Sequence, residues 1–304
     1  MVFTGELIAI TTVLCWTISV QFFGAASKMV GAIPVNIIRV GIALLLFSIF
    51  LFARDGSIVP TDFPLHSWML LSLSGIIGFF IGDIFLFKAL VELGPRVAML
   101  IHSLAAPSAA VIGWLFLKEH YVWHQWFGIF VTLAGVCLVI LEKKTKGSPA
   151  LNLSARRIPR KGVVYGFLGM LGQAVGYILS KAGMQTDSGY LDAFAATEIR
   201  TIAAFSCFIL YFSLTGTWQD VLEALKNRRA LVFTAAGSFL GPFIGVSLSL
   251  LVLHYLAVGI AATFLSLVPI AIIPFSIFLH NEHVSLRSFA GAVTAVFGIY
   301  LLMV

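Results

Sequence analysis

Apolar runs of about 20 residues, the length an α-helix needs to cross a bilayer, recur along the chain and are separated by short breaks rich in charge, Gly or Pro. The pattern predicts ten spans. They fall near residues 4–23, 34–53, 67–88, 95–117 and 125–141, then 162–183, 190–214, 231–253, 257–279 and 287–303. The longest polar interruption runs from Glu142 to Lys161 and divides the spans five and five. The predicted organisation is a five-helix unit over 1–141, a basic linker over 142–161 and a second five-helix unit over 162–304. The fold class that follows is an all-α polytopic membrane protein.

Composition agrees with the pattern. Of 304 residues, 60% are hydrophobic and 11% charged, with a mean hydropathy of +1.03. Nineteen basic and 13 acidic side chains cannot clothe a water-facing surface of that size, which excludes a secreted or cytosolic enzyme. Cys15, Cys137 and Cys207 sit inside apolar runs without metal-ligand spacing and read as packing residues. The first run lacks a basic segment ahead of it and reads as a retained helix rather than a signal peptide. The net charge of +6 is assigned to membrane orientation, not to nucleic acid.

The two units are related. A shift of 163 aligns residues 75–141 with 238–304 without a gap, and fourteen of those 67 positions are identical. Gly78, Phe80, Ile81 and Gly82 fall on Gly241, Phe243, Ile244 and Gly245, and Glu119-His120 falls on Glu282-His283. Gly128 and Gly135 fall on Gly291 and Gly298. Upstream the shift becomes 161, pairing Ile38-Arg39 with Ile199-Arg200, and then 153, pairing Ser27-Lys28 with Ser180-Lys181. Five spans is an odd number, so the second unit enters the membrane from the opposite side. Ten transmembrane helices as two inverted five-helix repeats is the architecture of alternating-access transporters.

These residues resemble the ten-helix drug/metabolite transporter superfamily, and specifically its EamA-like metabolite exporters. The resemblance spans nearly the whole chain. It is most specific in Leu117-Lys118-Glu119 ahead of Gly128 and Gly135, and in His280-Asn281-Glu282 ahead of Gly291 and Gly298. What it implies is export of amino acids or related small metabolites without ATP, from a cell membrane, with both termini on the cytoplasmic side.

Charge points the other way on orientation. Fourteen of the 19 basic residues fall in odd-numbered loops, seven of them in the central linker, against Arg54, Lys118 and Lys181 in even-numbered loops. The positive-inside rule then puts the odd loops in the cytoplasm and both termini outside.

Ionisable side chains inside spans are functional candidates by default. Arg39 in span 2 and Arg200 in span 7 are repeat mates, and inversion is expected to place them near opposite faces as gates or anion contacts. Glu198 is an imperfect partner for Arg200 along one helix. Asp83 has Val246 as its mate, so symmetry does not demand it. Asp83 and His102 are both expected roughly 10 Å below one loop, sharing a proton or contacting a substrate amine. Gln173 and Tyr177, four apart, share a helix face that continues towards Lys181. Trp16 and Gln21 decorate span 1, and Ser266 closes the list of cavity candidates. Ser247, Ser249 and Thr263 read as bonds to their own helix backbone. Glu119 and Glu282, at span ends, read as structural or gating residues.

The sequence holds no Walker A run, no H-E-x-x-H and no G-x-S-x-G. The chain is therefore read as a secondary transporter, not an enzyme, with no cofactor or metal. Its partners are a small-molecule substrate and the lipid bilayer, with protons as the candidate coupling ion and monomer or homodimer left open. An exchanger of organic anions such as sugar phosphates or nucleotide sugars, or a lipid-handling membrane protein, is the alternative.

Overall fold

The computed structural model describes residues 3–93, 95–141, 159–187, 189–272 and 286–303. It is all-α apart from a two-residue antiparallel pairing of Gln185–Thr186 with Gly189–Tyr190. We number the helices that follow the predicted spans α1 to α10. Helices α1 (Thr4–Val30), α2 (Ala32–Asp55) and α3 (Leu65–Leu93) are followed by α4, formed by Pro95–Ser103 and Ala105–Phe116, and by α5 (Trp123–Ile140). The second unit holds α6 (Arg160–Met184), α7 (Ala193–Thr215), α8 (Arg228–Tyr255), α9 (Val258–Ile272) and α10 (Leu286–Met303). Among the described residues eight helices are long and apolar enough to cross a membrane, and α9 and the end of α10 are shorter apolar helices. A surface helix, Trp218–Lys226, lies between α7 and α8.

The distribution of side chains is that of a chain in lipid. Leu45, Ile49 and Phe52 form an outward stripe along α2, each about 60% exposed, while Thr17, Ser74, Ser180 and Thr197 are buried between helices. Outside is apolar because lipid is the solvent there. Inside, short hydroxyls bond backbone carbonyls, as Thr17 does to Val13 and Thr197 to Ala193. Ser247, Ser249, Thr263 and Ser266 also bond carbonyls of their own helices.

Glycines set how closely the helices pack, and their contacts cross between the repeats. A Cβ built on Gly128 of α5 would stand 2.8 Å from the carbonyl oxygen of Gly298 in α10. One built on Gly291 would stand 2.8 Å from the carbonyl of Gly135. Gly291 is the mate of Gly128, and Gly298 of Gly135, so the contact is one contact seen twice across a pseudo-two-fold axis. The same exchange relates α1 on α8 to α6 on α3. Trp16 against Gly245, Ser19 against Gly241 and Phe23 against Gly237 correspond to Gly169 against Gly82, Gly172 beside Gly78 and Gly176 against Ser74.

Both repeats also widen at the same place. Gly75–Gly82 in α3 and Phe239–Val246 in α8 wind as π-helix, one residue out of register under the 163 shift. Such turns leave the regular ladder and recur at functional sites.

Replacing Gly135 with Leu is expected to lower stability by about 1–3 kcal/mol or more through overpacking against α10, read as a drop in thermal unfolding temperature of the purified protein. Gly24→Ala, where an added Cβ meets nothing within 4 Å, should leave that temperature unchanged or raise it slightly.

Candidate functional site

The in-span charges gather around the π segment of α3. Asp83 opens the α-helical turn that follows this segment, and its Oδ2 pairs with Nη2 of Arg39 from α2. Arg39 is held on its other edge by Asn36, whose Oδ1 accepts from Nε at 2.6 Å, and its guanidinium lies 5.5 Å from the ring centre of Phe23 and 6.0 Å from that of Phe87. The pair is only partly covered, with side-chain exposures of 20% and 18%.

Arg200 of α7 reaches the same centre from the other repeat. Its backbone lies against Gly75, where no side chain fits, and its guanidinium stacks 4.4 Å from the centre of the Phe79 ring. The charge of Asp83 acts on it. Tyr177 and Gln173, four residues apart, lie on the same face of α6. Arg200 is 2% exposed, and its Nε and Nη1 are buried without a hydrogen-bond partner among the described residues.

This corrects the expectation that Arg39 and Arg200 gate opposite faces. Arg39 pairs with Asp83 and Arg200 stacks on Phe79 in the same stretch of α3, because the glycines of α3 let α7 approach closely enough for a long side chain to reach the middle. Asp83 is paired with Arg39 rather than sharing a proton with His102, whose Nδ1 is buried and has no partner among the described residues. Glu198 turns to α2 instead of Arg200 and accepts from the Ser48 hydroxyl at 3.1 Å.

The remaining candidates lie elsewhere. Trp16 packs on Gly245. Gln21 lines a cleft of about 310 Å³ with Gly24, Ala25, Lys28 and Met29, at the end of α1 nearest Val30. Ser266 bonds the carbonyl of Thr263. Lys181, expected in the cavity, is instead tied to Glu119 at the opposite face, the one from which α1 starts. Glu282 lies outside the described residues.

Glu119 and Lys181 belong to a compact lock. The Glu119 carboxylate accepts from Lys181 Nζ at 2.8 Å, from Tyr121 Oη at 2.5 Å and from the Val258 amide at 2.9 and 3.0 Å. Tyr121 in turn accepts from the Gly259 amide at 3.0 Å, and Lys181 also donates to the Leu256 carbonyl at 2.9 Å. A carboxylate thus caps the free amides at the start of α9. Burial, reinforced by the bond to Glu119 and its charge, pushes the Tyr121 hydroxyl above its ordinary value, so it stays a donor across the physiological range. Gly113 leaves the room, since a Cβ there would sit 2.6 Å from the Glu119 carboxylate.

Sequence reasoning singled out Arg39, Asp83 and Arg200 but not the side chains that position them. Asn36 carries a weak signal, being one helical turn before Arg39. Phe79, Phe23 and Phe87 carry none among 27 phenylalanines. Tyr121 was hidden because the amide it accepts from, that of Gly259, lies 138 residues away.

Residues 3–141 and 160–304 each match the EamA-like transporter family. No curated protein matches the sequence. A solved crystal structure 15% identical superposes with a TM-score of 0.72, covering 99% of this chain and 96% of its own, which shows a shared fold.

Glu119→Ala is expected to destabilise the protein by about 3–5 kcal/mol, because it strands a buried Lys181. In a double-mutant cycle read by chemical denaturation, adding Lys181→Met should recover part of that loss, and strict additivity would show that the two groups do not interact.

Proposed function

The chain belongs to the EamA-like transporter family, and we propose that it exports small metabolites, amino acids or related compounds first among them, by alternating access through the Arg39–Asp83–Arg200 centre. The observation that carries this reading is the crossed packing of the repeats, Gly128 on Gly298 and Gly291 on Gly135. A pseudo-two-fold bundle of this kind has a second arrangement in which the halves exchange roles, and rocking between the two exposes a central site to each face in turn.

The chain's own residues supply the parts of such a site. Arg39 and Asp83 are partly accessible and aromatic side chains flank them. The lock at Glu119 holds the face from which α1 starts, while the cleft at Gln21 and Lys28 opens towards the other. Protons are the coupling ion we propose, since the sequence lacks the parts of an ATP-driven pump. The excess of basic charge in the odd loops supports a cytoplasmic location for the cleft face, with both termini outside.

The alternative, exchange of organic anions such as sugar phosphates, is favoured by one observation, the presence of two central arginines against one aspartate.

Proteoliposomes holding the purified protein should release labelled amino acids saturably and faster under an imposed pH gradient than empty liposomes do. Asp83→Asn should cut that flux at least tenfold at unchanged protein level. Gradient-independent exchange of phosphate esters would favour the alternative, and no flux of any solute would sink the transport reading. In cells, a single cysteine placed at Ser57 should react with an impermeant thiol reagent from outside on a cysteine-free background. Protection there until the membrane is opened would reverse the orientation.

A further inference from the structure

Glu198 of α7 is a carboxyl group that no cation meets. It is fully buried, at 0% exposure. Its Oε1 accepts from the Ser48 hydroxyl of α2 at 3.1 Å, and its Oε2 is buried with no partner among the described residues. Arg200 follows two residues on, which at about 3.6 residues per turn puts its side chain on nearly the opposite face of the helix, stacked on Phe79. The cations on the helices packed against α7 are engaged elsewhere. Arg39 of α2 pairs with Asp83, Arg54 with Asp55 and Asp192, and Lys181 of α6 with Glu119. His254 of α8 stacks on Tyr190, His66 of α3 lies against the Ser67 hydroxyl, and Lys88 lies over the rings of Phe85 and Tyr165. Arg160 and Lys161 of α6, and Arg228 and Arg229 of α8, begin their helices at the other face, whereas Glu198 lies in the second turn of α7 from the face at which α1 starts.

An ionised carboxylate there would set its full charge against one neutral donor after losing its water, which is costly. A proton on Oε2 removes the charge and leaves the Ser48 bond in place. The oxygens are too few for a metal ion, which takes six or so: among the described residues Ser48 is the one side chain bonded to Glu198, and no three His, Cys, Asp or Glu gather. Nor does the fold demand a carboxyl group, because under the 161 shift its mate is Ile37, buried in an apolar cluster with Phe208 and Phe212. Aromatic rings roof the site. Phe194, one turn before Glu198, lies 5.1 Å from Phe50 of α2, and Phe243 from the π segment of α8 meets both, at 5.9 and 5.8 Å. Phe50 and Phe194 are half-buried, so the roof is thin and hangs on an element outside the regular helical ladder.

We infer that Glu198 holds a proton in this conformation and is the group on which the coupling proton binds. The second part rests on the proton-driven transport proposed above; the first does not. Loading forms one O–H bond at Oε2, and unloading returns that proton to water and leaves a carboxylate. The carboxylate is not stable where Ser48 is its one donor, so α7 must shift against α2 to bring it water or a cation. Helices α2 and α7 are repeat mates, one from each half, and such a shift is a movement of one repeat against the other. Proton occupancy therefore biases the two arrangements by its different cost in each.

The test reads the proton directly. Infrared spectra of the purified full chain in lipid at neutral pH should show a carboxylic-acid carbonyl band that Glu198→Gln removes and Asp83→Asn does not. Absence of the band, or its survival in Glu198→Gln, would overturn the inference. Should Glu198→Gln fail to fold, Glu198→Asp decides, because a band belonging to this residue must move in that variant and one belonging to another must not. In proteoliposomes loaded with labelled amino acids, Glu198→Gln should lose the acceleration that a pH gradient gives the unmodified protein while keeping measurable exchange of labelled for unlabelled solute. Glutamine still accepts from Ser48, so a purely structural Glu198 predicts that the gradient continues to act on this variant, and that result overturns the coupling role. Flux in the unmodified protein that ignores the gradient overturns it too. The two claims stay separable: the band without flux of any solute sinks the transport reading and leaves the proton on Glu198, whereas gradient-driven flux undiminished in Glu198→Gln sinks the inference alone.

Discussion

Close approach of helix backbones at paired glycines is the constraint on which the rest of the molecule depends. Lipid offers no hydrophobic drive for one apolar helix to join another, so contact must come from packing and from hydrogen bonds that only short distances allow. Gly128 and Gly135 against Gly298 and Gly291 join the ends of the two repeats. Gly172 and Gly176 against Gly82 and Gly78 bring α6 onto α3. That second approach also brings α7 up to Gly75, and with it the guanidinium of Arg200 into the centre. Charge placement in the interior is thus a product of where side chains are missing.

Around that frame the two repeats diverge. Symmetry delivers an arginine from each, Arg39 and Arg200, but an aspartate from only one, since the mate of Asp83 is Val246. The first repeat contributes an ion pair, and the second Arg200 and Glu198, each with buried polar atoms that have no hydrogen-bond partner among the described residues. The α1–α8 contact is likewise filled by Trp16, Ser19 and Phe23, where the mated α3–α6 contact is almost all glycine. The two halves of the bundle are built to one plan but with unequal clearance.

Much of the fold was legible because it rests on local composition. Span length, the five-plus-five division and the Glu-His correspondence are properties of contiguous residues, and the helices follow the predicted runs, although α1 and α3 continue to Val30 and Leu93 and the predicted end of the ninth span lies outside the described residues. Asp83 and Arg200 stood out for the same reason, as charges in apolar runs. What could not be read were meetings between distant segments. Arg39 and Asp83 are 44 residues apart, and Lys181 looked like a cavity residue because nothing near it in the chain foretells Glu119, 62 residues earlier. Trp16 carried the same ambiguity, since an aromatic ring on a helix reads identically whether it meets a solute or a glycine.

The lock at the start of α9 has an asymmetry written into the backbone. Val258 donates its amide to Glu119, and the residue that the repeat places at the mated position is Pro95, which has no N–H to give. The same cap cannot be rebuilt by symmetry at the far face. A carrier whose two closed forms are held by unequal sets of bonds rests unevenly between them. If the halves exchange roles as proposed, the face at which α1 starts has a backbone amide in its lock that the other face lacks, and the two closed forms begin unequal by that one hydrogen bond.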